Sequence, residues 1–456
     1  MVIDQKRLEI QNEFLDLYWK PSNAIGILEA VTGFGKTFVA VLAILRYNKN
    51  KPSGTIHVIV PSSKLYEDWT KEKGHIKNYD LRNIEVFVIN TYISEVRHCD
   101  LMIADEVHHY ANPDSVHWNL LVKKNIFNYF LGLSGSINKE ERQYLEREGI
   151  KVLLNITEEF ATKHGFITDS ITYNLSLNLT DYDRDIMEDL DKKVKLYQAK
   201  FEYDFGLAKV CLGRTQVSKD TRMAYARKQE WNGERDHVWS PQAIGKYAAF
   251  LFKYIRERKE LLYNAEAKLD AVAELVEKFP VKTIVFCETT YLANRISEVL
   301  GSKCRSYHTK VETEIREIKI YNKGKITTKQ KKFGRKKLLD EALELFEDPY
   351  SGVDVLAAVK SLNEGYDVKN IEFIIMASYP STVRDNTQRE GRGKRIDVEN
   401  KDKKALIVNL YIKNSQEEKW INSKQALKRR VNWVTNIEDI TINSPFGYNS
   451  LKLNVT

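Results

Sequence analysis

Residues 25–45 read IGILEAVTGFGKTFVAVLAIL, and the order of parts in this stretch decides the fold. The apolar run at 25–29 leads into AVTGFGKT at 30–37, and FVAVLAIL follows at 38–45. Apolar run, glycine-containing loop and long apolar run predict a strand, a loop and a buried helix. Gly33 and Gly35 let backbone N–H groups turn toward an anion, and the following helix N-terminus adds the positive end of its dipole. With Thr32, they form the expected phosphate cradle. Lys36 is expected to reach the β- and γ-phosphates, and the Thr37 hydroxyl to ligate Mg²⁺. Ala30 stands where the generic motif has its first glycine, so the bland alternative is a chance glycine-rich turn.

A second motif supports the first. Asp100–Ala104 reads as a strand and ends in Asp105-Glu106-Val107-His108-His109. An acid at the carboxyl end of a strand lies where open α/β sheets bind ligands. Asp105 is expected to hold Mg²⁺ and Glu106 to polarise the attacking water, with His108 beside them. Alone, the segment reads equally well as an acidic turn.

AVTGFGKT and DEVH resemble the first motif and the D-E-x-H box of superfamily-two helicases, and the resemblance continues in order along the chain. It implies that Arg7 and Gln11 read adenine. It implies that Val58–Lys64, with Pro61, Ser62 and Lys64, grips the phosphates of a tracked strand. Asn90-Thr91-Tyr92 is similar to the next strand-contacting element, through Thr91 and Tyr92. LGLSGS at 131–136 resembles the motif that couples ATP state to lobe closure, but lacks the more usual S/T-A-T.

In the second half, the strand KTIVFC at 282–287 is followed by Glu288-Thr289-Thr290, and Thr289 is a further candidate strand contact. His308 lies in a region resembling the fourth motif. SLNEGYD at 361–367 is similar to A-x-x-x-x-x-E-G-x-D, which implies that Gly365 allows close backbone approach and that Asp367 touches the ribose or couples to the first lobe. QREGRGKR at 388–395 resembles Q-x-x-G-R-x-x-R and supplies Gln388, Arg392 and Arg395. Hydrolysis needs the charge developing on the γ-phosphate to be neutralised, and arginines from a second lobe do this only when the lobes close.

The resemblance therefore implies an α/β fold with two tandem RecA-like lobes, parallel sheets flanked by helices, and ATP and Mg²⁺ as cofactors. Expected units are a first lobe at 1–160, a mainly helical connector or insertion at 161–270, and a second lobe at 271–456. In the connector, basic residues alternate with Trp231 and Trp239, which suits either strand contact or a packed helical core.

The chain has 456 residues, with 71 Lys/Arg against 63 Asp/Glu. Residues 313–337 hold ten Lys/Arg and two Asp/Glu, so this segment carries the whole net charge of +8. It reads as a hairpin, Glu314–Tyr321 and Ile326–Lys329 around the turn residues 322–325. Lys323, Lys325, Lys329, Lys331 and Lys332 are expected to contact a polyanion. Cysteines at 99, 211, 287 and 304 are spaced unlike a zinc site or disulfide framework. The N-terminus lacks an apolar signal core, and the longest clean apolar run, Phe38–Leu45, is too short to span a membrane.

The reading is a cytoplasmic, monomeric ATP-dependent DNA helicase or translocase. It is similar to RecG-like and phage UvsW-type branch-migration helicases, which implies 3′→5′ movement on forks, Holliday junctions or displacement loops. No accessory domain is expected before the motor. The absence of a nuclease constellation after residue 400 argues against a restriction-enzyme motor subunit. The alternatives are an RNA helicase of the same fold, and a nucleic-acid-stimulated ATPase that does not unwind.

Overall fold

The computed structural model describes residues 5–111, 115–123, 125–231, 239–322, 325–359, 371–380, 382–396, 403–425 and 431–441. The first sheet holds β1 (Ile25–Ala30), β2 (Ile56–Val60), β3 (Ile84–Val88), β4 (His98–Ala104), β5 (Ile126–Ser134) and β6 (Val152–Ile156). Then come β7 (Ser170–Leu177), β8 (Thr283–Cys287), β9 (Cys304–Tyr307) and two hairpin strands, β10 (Glu314–Asn322) and β11 (Lys325–Phe333). The chain continues with β12 (Val355–Val359), β13 (Phe373–Met376), β14 (Ala405–Ile412) and β15 (Val431–Val434).

The strand order is β3-β2-β4-β5-β1-β6 in the first sheet and β15-β7-β14-β13-β8-β12-β9 in the second. Every pairing in both is parallel. Parallel sheets carry helices on both faces, so their strands are apolar throughout. IHVIV of β2 and TIVFC of β8 are accordingly buried along their whole length. Alternate residues feed opposite cores. Val58, Leu101 and Ile103 pack with Val39, Ala40 and Ile44 of the helix Lys36–Asn50, while Ile59, Met102 and Ala104 face the other way. These are the two RecA-like lobes that the motifs imply.

The order of the first sheet positions the site. Because β5 lies between β4 and β1, the loops leaving all three open side by side at one carboxyl edge. Those loops are the phosphate loop, the DEVH segment and LGLSGS.

The helices Asp181–Ala199, Phe205–Leu212, Gln216–Trp231 and Pro241–Asn264 form a bundle with its own core. Trp239 is buried there, its ring 6.0 Å from those of Tyr225 and Tyr247, so it is a packing residue. The side chain of Trp231 lies outside the described residues. The helix that begins at Pro241 ends at Asn264, and beyond Ala265 (ψ 132°) a separate helix runs over Glu266–Lys278. One feature departs from expectation: a unit beginning at 161 sets β7 apart from the second lobe, whereas β7 is hydrogen-bonded inside that lobe's sheet, between β14 and β15.

The hairpin forms in register from Glu314↔Phe333 to Asn322↔Lys325, so its second strand runs beyond the expected Lys329. Its root is fastened to the helix Arg335–Glu347. Arg316 Nη1 donates to Glu341 Oε1 at 2.6 Å, and the guanidinium lies 5.0 Å from the Phe333 ring. All four cysteines are free and buried. Among the described residues, no helix is long and apolar enough to cross a membrane.

Candidate active site

Gly33 and Gly35 adopt φ of 95° and 92°, backbone that glycine enters without penalty. The loop they shape is braced from the N-terminal helix Gln5–Glu13. Arg7 Nη1 donates to Gly33 O at 3.2 Å and Nη2 to Phe166 O at 2.8 Å. Gln11, only 2% exposed, donates from Nε2 to Phe34 O at 3.1 Å and to Gly35 O at 3.4 Å. The donors expected to read a base are thus engaged in holding the loop. Lys36 Nζ donates to Ala30 O at 3.1 Å.

Asp105 is buried at the end of β4. Its carbonyl accepts from Tyr110 Oη, which also donates to Ile59 O at 3.2 Å, and its Oδ1 accepts from Glu106 N at 3.0 Å. Burial, then the neighbouring Glu106, pushes the Asp105 carboxyl up to about 7, with Lys36 pulling the other way. A buried carboxyl that costly to ionise suits a hard dication. With the Thr37 hydroxyl it provides the oxygen donors that Mg²⁺ takes, so the donor set fits that ion.

Glu106 sits at φ 47°, unusual for a side-chain-bearing residue, and places Oε2 3.3 Å from His108 Nδ1. His108 Nδ1 also lies 3.0 Å from Ser134 Oγ, which donates to Ser136 O at 2.9 Å. Burial, aided by His109, Arg384 and Lys36, holds the His108 imidazole well below its ordinary range, so it is neutral. The DEVH segment and LGLSGS are therefore one bonded unit.

The second lobe meets this edge through the helix Val383–Gly393, the arginine helix, capped by Thr382. A Cβ on Gly391 would stand 2.8 Å from Thr32 Cβ, so the helix rests on the phosphate loop itself. Gln388 and Arg392 are buried at this junction, and Arg395 is half-buried just beyond it. Cross-lobe ion pairs flank the junction. Arg384 Nη2 donates to Glu141 Oε2 and Oε1 at 2.6 and 2.8 Å, and Lys394 Nζ to Glu158 Oε1 at 2.7 Å. Thr168 N donates to Lys394 O at 2.8 Å. Within the second lobe, Arg389 is wholly buried, pairs with Glu288 at 2.7 Å and lies 5.3 Å from the Phe286 ring.

Other expected residues divide by exposure. Pro61, Ser62 and Lys64 are half-buried and Thr91 is exposed. Ser62 accepts from Leu65 N at 3.4 Å and caps the helix Ser63–Thr70, and Lys64 lies 4.0 Å from Asp68. Tyr92 is wholly buried, its hydroxyl 3.0 Å from His57 Nδ1, so it belongs to the core. His308 is 1% exposed, with Nε2 2.8 Å from Asn294 Oδ1 and Nδ1 accepting from Lys310 N at 3.2 Å. Neither presents a surface to a strand, which corrects the expected contacts. Thr289 caps the helix Thr290–Leu300, accepting from Leu292 N at 3.2 Å. Lys329, Lys331 and Lys332 are exposed along β11. Gly365, Asp367, Lys323 and the side chain of Lys325 lie outside the described residues.

Sequence reasoning did not single out Glu29, Glu141, Glu158, Arg384 or Arg389. Glu29 closes β1 against the loop after β5, accepting from Ile137 N at 2.9 Å. A carboxylate one residue ahead of the phosphate loop was the available signal. For the cross-lobe acids there was none.

Residues 267–397 match the family model described as helicase conserved C-terminal domain. Residues 5–95 match the model described as type III restriction enzyme, res subunit. Among solved structures, the chain is similar to the helicase domain of Pyrococcus furiosus Hef, with 14% identity and a TM-score of 0.52. The alignment covers 93% of this chain and 100% of that one, a likeness of fold. No curated protein matches by sequence. Together the two family matches support a nucleic-acid helicase of superfamily two, and with it ATP hydrolysis and nucleotide use, typically with Mg²⁺.

Proposed function

We propose that this protein is an ATP-driven DNA motor that moves 3′→5′ and remodels branched DNA, such as forks, Holliday junctions or displacement loops. It would act as a monomer in the cytoplasm, in recombination, repair or replication. The observation that carries the ATPase part is the seating of Gly391 against Thr32, which brings the arginine helix onto the phosphate loop. Thr37 and Asp105 would hold Mg²⁺, whose charge offsets that of the phosphates. Lys36 binds the phosphate chain, Glu106 orients the attacking water, and Arg392 and Arg395 neutralise charge developing on the far side. Polymer bound across both lobes favours closure and so switches hydrolysis on.

The exposed lysines of β11 support the DNA part. A fastened hairpin with Lys329, Lys331 and Lys332 is suited to a phosphate backbone. Pro61, Ser62, Lys64 and Thr91 are suited to tracking one strand. The test is ATPase rate against single-stranded, forked and four-way-junction DNA and against RNA, with Lys36→Ala as the blank, followed by strand displacement. Stimulation by branched DNA, lost in Lys36→Ala, is expected. Stimulation by RNA alone makes the enzyme an RNA helicase. Stimulation without displacement makes it a translocase that does not unwind.

A further inference from the structure

We propose that Glu141 and Arg384 form a positioning pair: the loop after β5 uses Glu141 to set where the arginine helix, and hence Arg392, sits over the nucleotide. The inference rests on the ATPase reading above and goes beyond its motifs, since neither residue belongs to one.

Glu141 is tied to the nucleotide edge of the first lobe from two directions. It occupies the first turn of the helix Lys139–Arg147 and completes a capping box with Asn138. Its Oε2 accepts from Asn138 N at 3.0 Å, and its own N–H donates to Asn138 Oδ1 at 2.8 Å. The segment just before this helix is Ser134–Ile137. There, Ser134 Oγ meets His108 of the DEVH segment, and Ile137 N is bonded to Glu29, at the entrance to the phosphate loop. A shift at either loop is therefore passed to Glu141 through short, bonded steps.

Arg384 is placed to receive it. It lies in the first turn of the arginine helix, one turn before Gln388 and two before Arg392. Residues spaced by four lie on one helix face. At about 1.5 Å of rise per residue, Arg384 is about 12 Å from Arg392 along the axis. Holding one guanidinium by both carboxylate oxygens, at 2.6 and 2.8 Å, therefore fixes the reach of the other. The opposite end of the helix is anchored by Lys394, through Glu158 and through the amide of Thr168. Arg389, paired with Glu288, fixes the helix to its own lobe, so the Arg384 and Lys394 anchors hold helix and lobe together against the loop; with Arg384 freed, that hold rests on the Lys394 end alone. The capping box gives Glu141 partners that do not depend on Arg384, so removing the arginine leaves the first lobe intact.

The experiment is steady-state ATP hydrolysis at saturating single-stranded DNA or RNA, for the full chain and for Arg384→Gln, Glu141→Gln, the double variant and Arg384→Lys. Nucleotide affinity is measured in parallel with a fluorescent, non-hydrolysable ATP analogue. We expect Arg384→Gln and Glu141→Gln each to lower kcat roughly 10- to 100-fold, the scale of a small misplacement of a reacting group. The KM for ATP and the analogue affinity should stay within about twofold, as for an interaction that matters in the transition state. The double variant should be no worse than either single one, and Arg384→Lys should recover part of the loss. Unchanged kcat in Arg384→Gln, or losses that multiply in the double variant, would overturn the pair while leaving the ATPase reading intact. Failure of the unmodified chain to hydrolyse ATP with any polymer would overturn that reading instead. Should Arg384→Gln not fold, the comparison of Glu141→Gln with Arg384→Lys decides.

Discussion

The second lobe carries two groups of cations that differ in nearly every physical respect. Those of the arginine helix and its C-cap are drawn out of water: Arg389 and Lys394 are buried and matched to Glu288 and to Glu158 and Glu390, Arg384 is half-buried and matched to Glu141, and Arg392 is buried beside them. Those of β11, Lys329, Lys331 and Lys332, stand exposed on a strand. A charge removed from water must find its partner at fixed geometry, so it specifies position. A charge left in water acts at a distance, tolerates many partners and is weakened by salt. One group is built to place atoms, the other to attract a polymer.

The largest effect should come from the first group. Arg392→Ala should lower kcat by about 10³-fold or more, as removal of an arginine finger does. Analogue binding should be nearly unchanged. A turnover number within tenfold of the unmodified chain would mean that the helix places no reacting charge, and the contrast would collapse. The second group should respond to salt. Replacing Lys329, Lys331 and Lys332 together by Ala should reduce the slope of log affinity against log salt by roughly 0.7–0.9 for each phosphate that is no longer neutralised. Turnover at saturating polymer should hold. An unchanged slope would remove the hairpin from the binding surface. The smallest effect belongs to a cross-lobe pair that is exposed. Lys336 Nζ lies 3.2 Å from Glu67, with the lysine side chain 77% exposed. Lys336→Ala should alter thermal stability and turnover within error, since such pairs contribute about 0–1 kcal/mol. A clear loss would show that exposure is the wrong criterion for separating cross-lobe pairs.

What the sequence made legible was local. Glycines 33 and 35, Lys36 and Thr37 adjoin in the chain, so their loop chemistry can be read without knowing the fold. The same holds for Asp105–His108, and for the hairpin, whose strands are joined by a short turn. Less legible was whatever depends on distant partners. Glu141 and Arg384 are 243 residues apart, and nothing in either neighbourhood announces the other. Strand β7 escaped for the same reason. Its buried Asn174 is satisfied by Asn409, 235 residues away, which local patterning does not reveal. Tyr92 and His308 show the converse limit. A motif names residues near a surface, but burial against His57 or Asn294 decides whether they reach it.

Strand β7 also settles what kind of object the helical bundle is. Among the described residues the chain passes from the first sheet to the second once, between β6 and β7. The bundle begins only after that crossing and returns to the same sheet through the helix Glu266–Lys278. Its root is clamped there, with Leu262, Ala265 and Met187 against Ile412 of β14. Topologically it is an excursion from the second sheet and not the link between the two sheets; among the described residues, the segment at 157–169 is the stretch of chain that joins them. Rooted in that sheet, the bundle moves with the second lobe, and a rotation of that lobe displaces each of its residues in proportion to the distance from the axis.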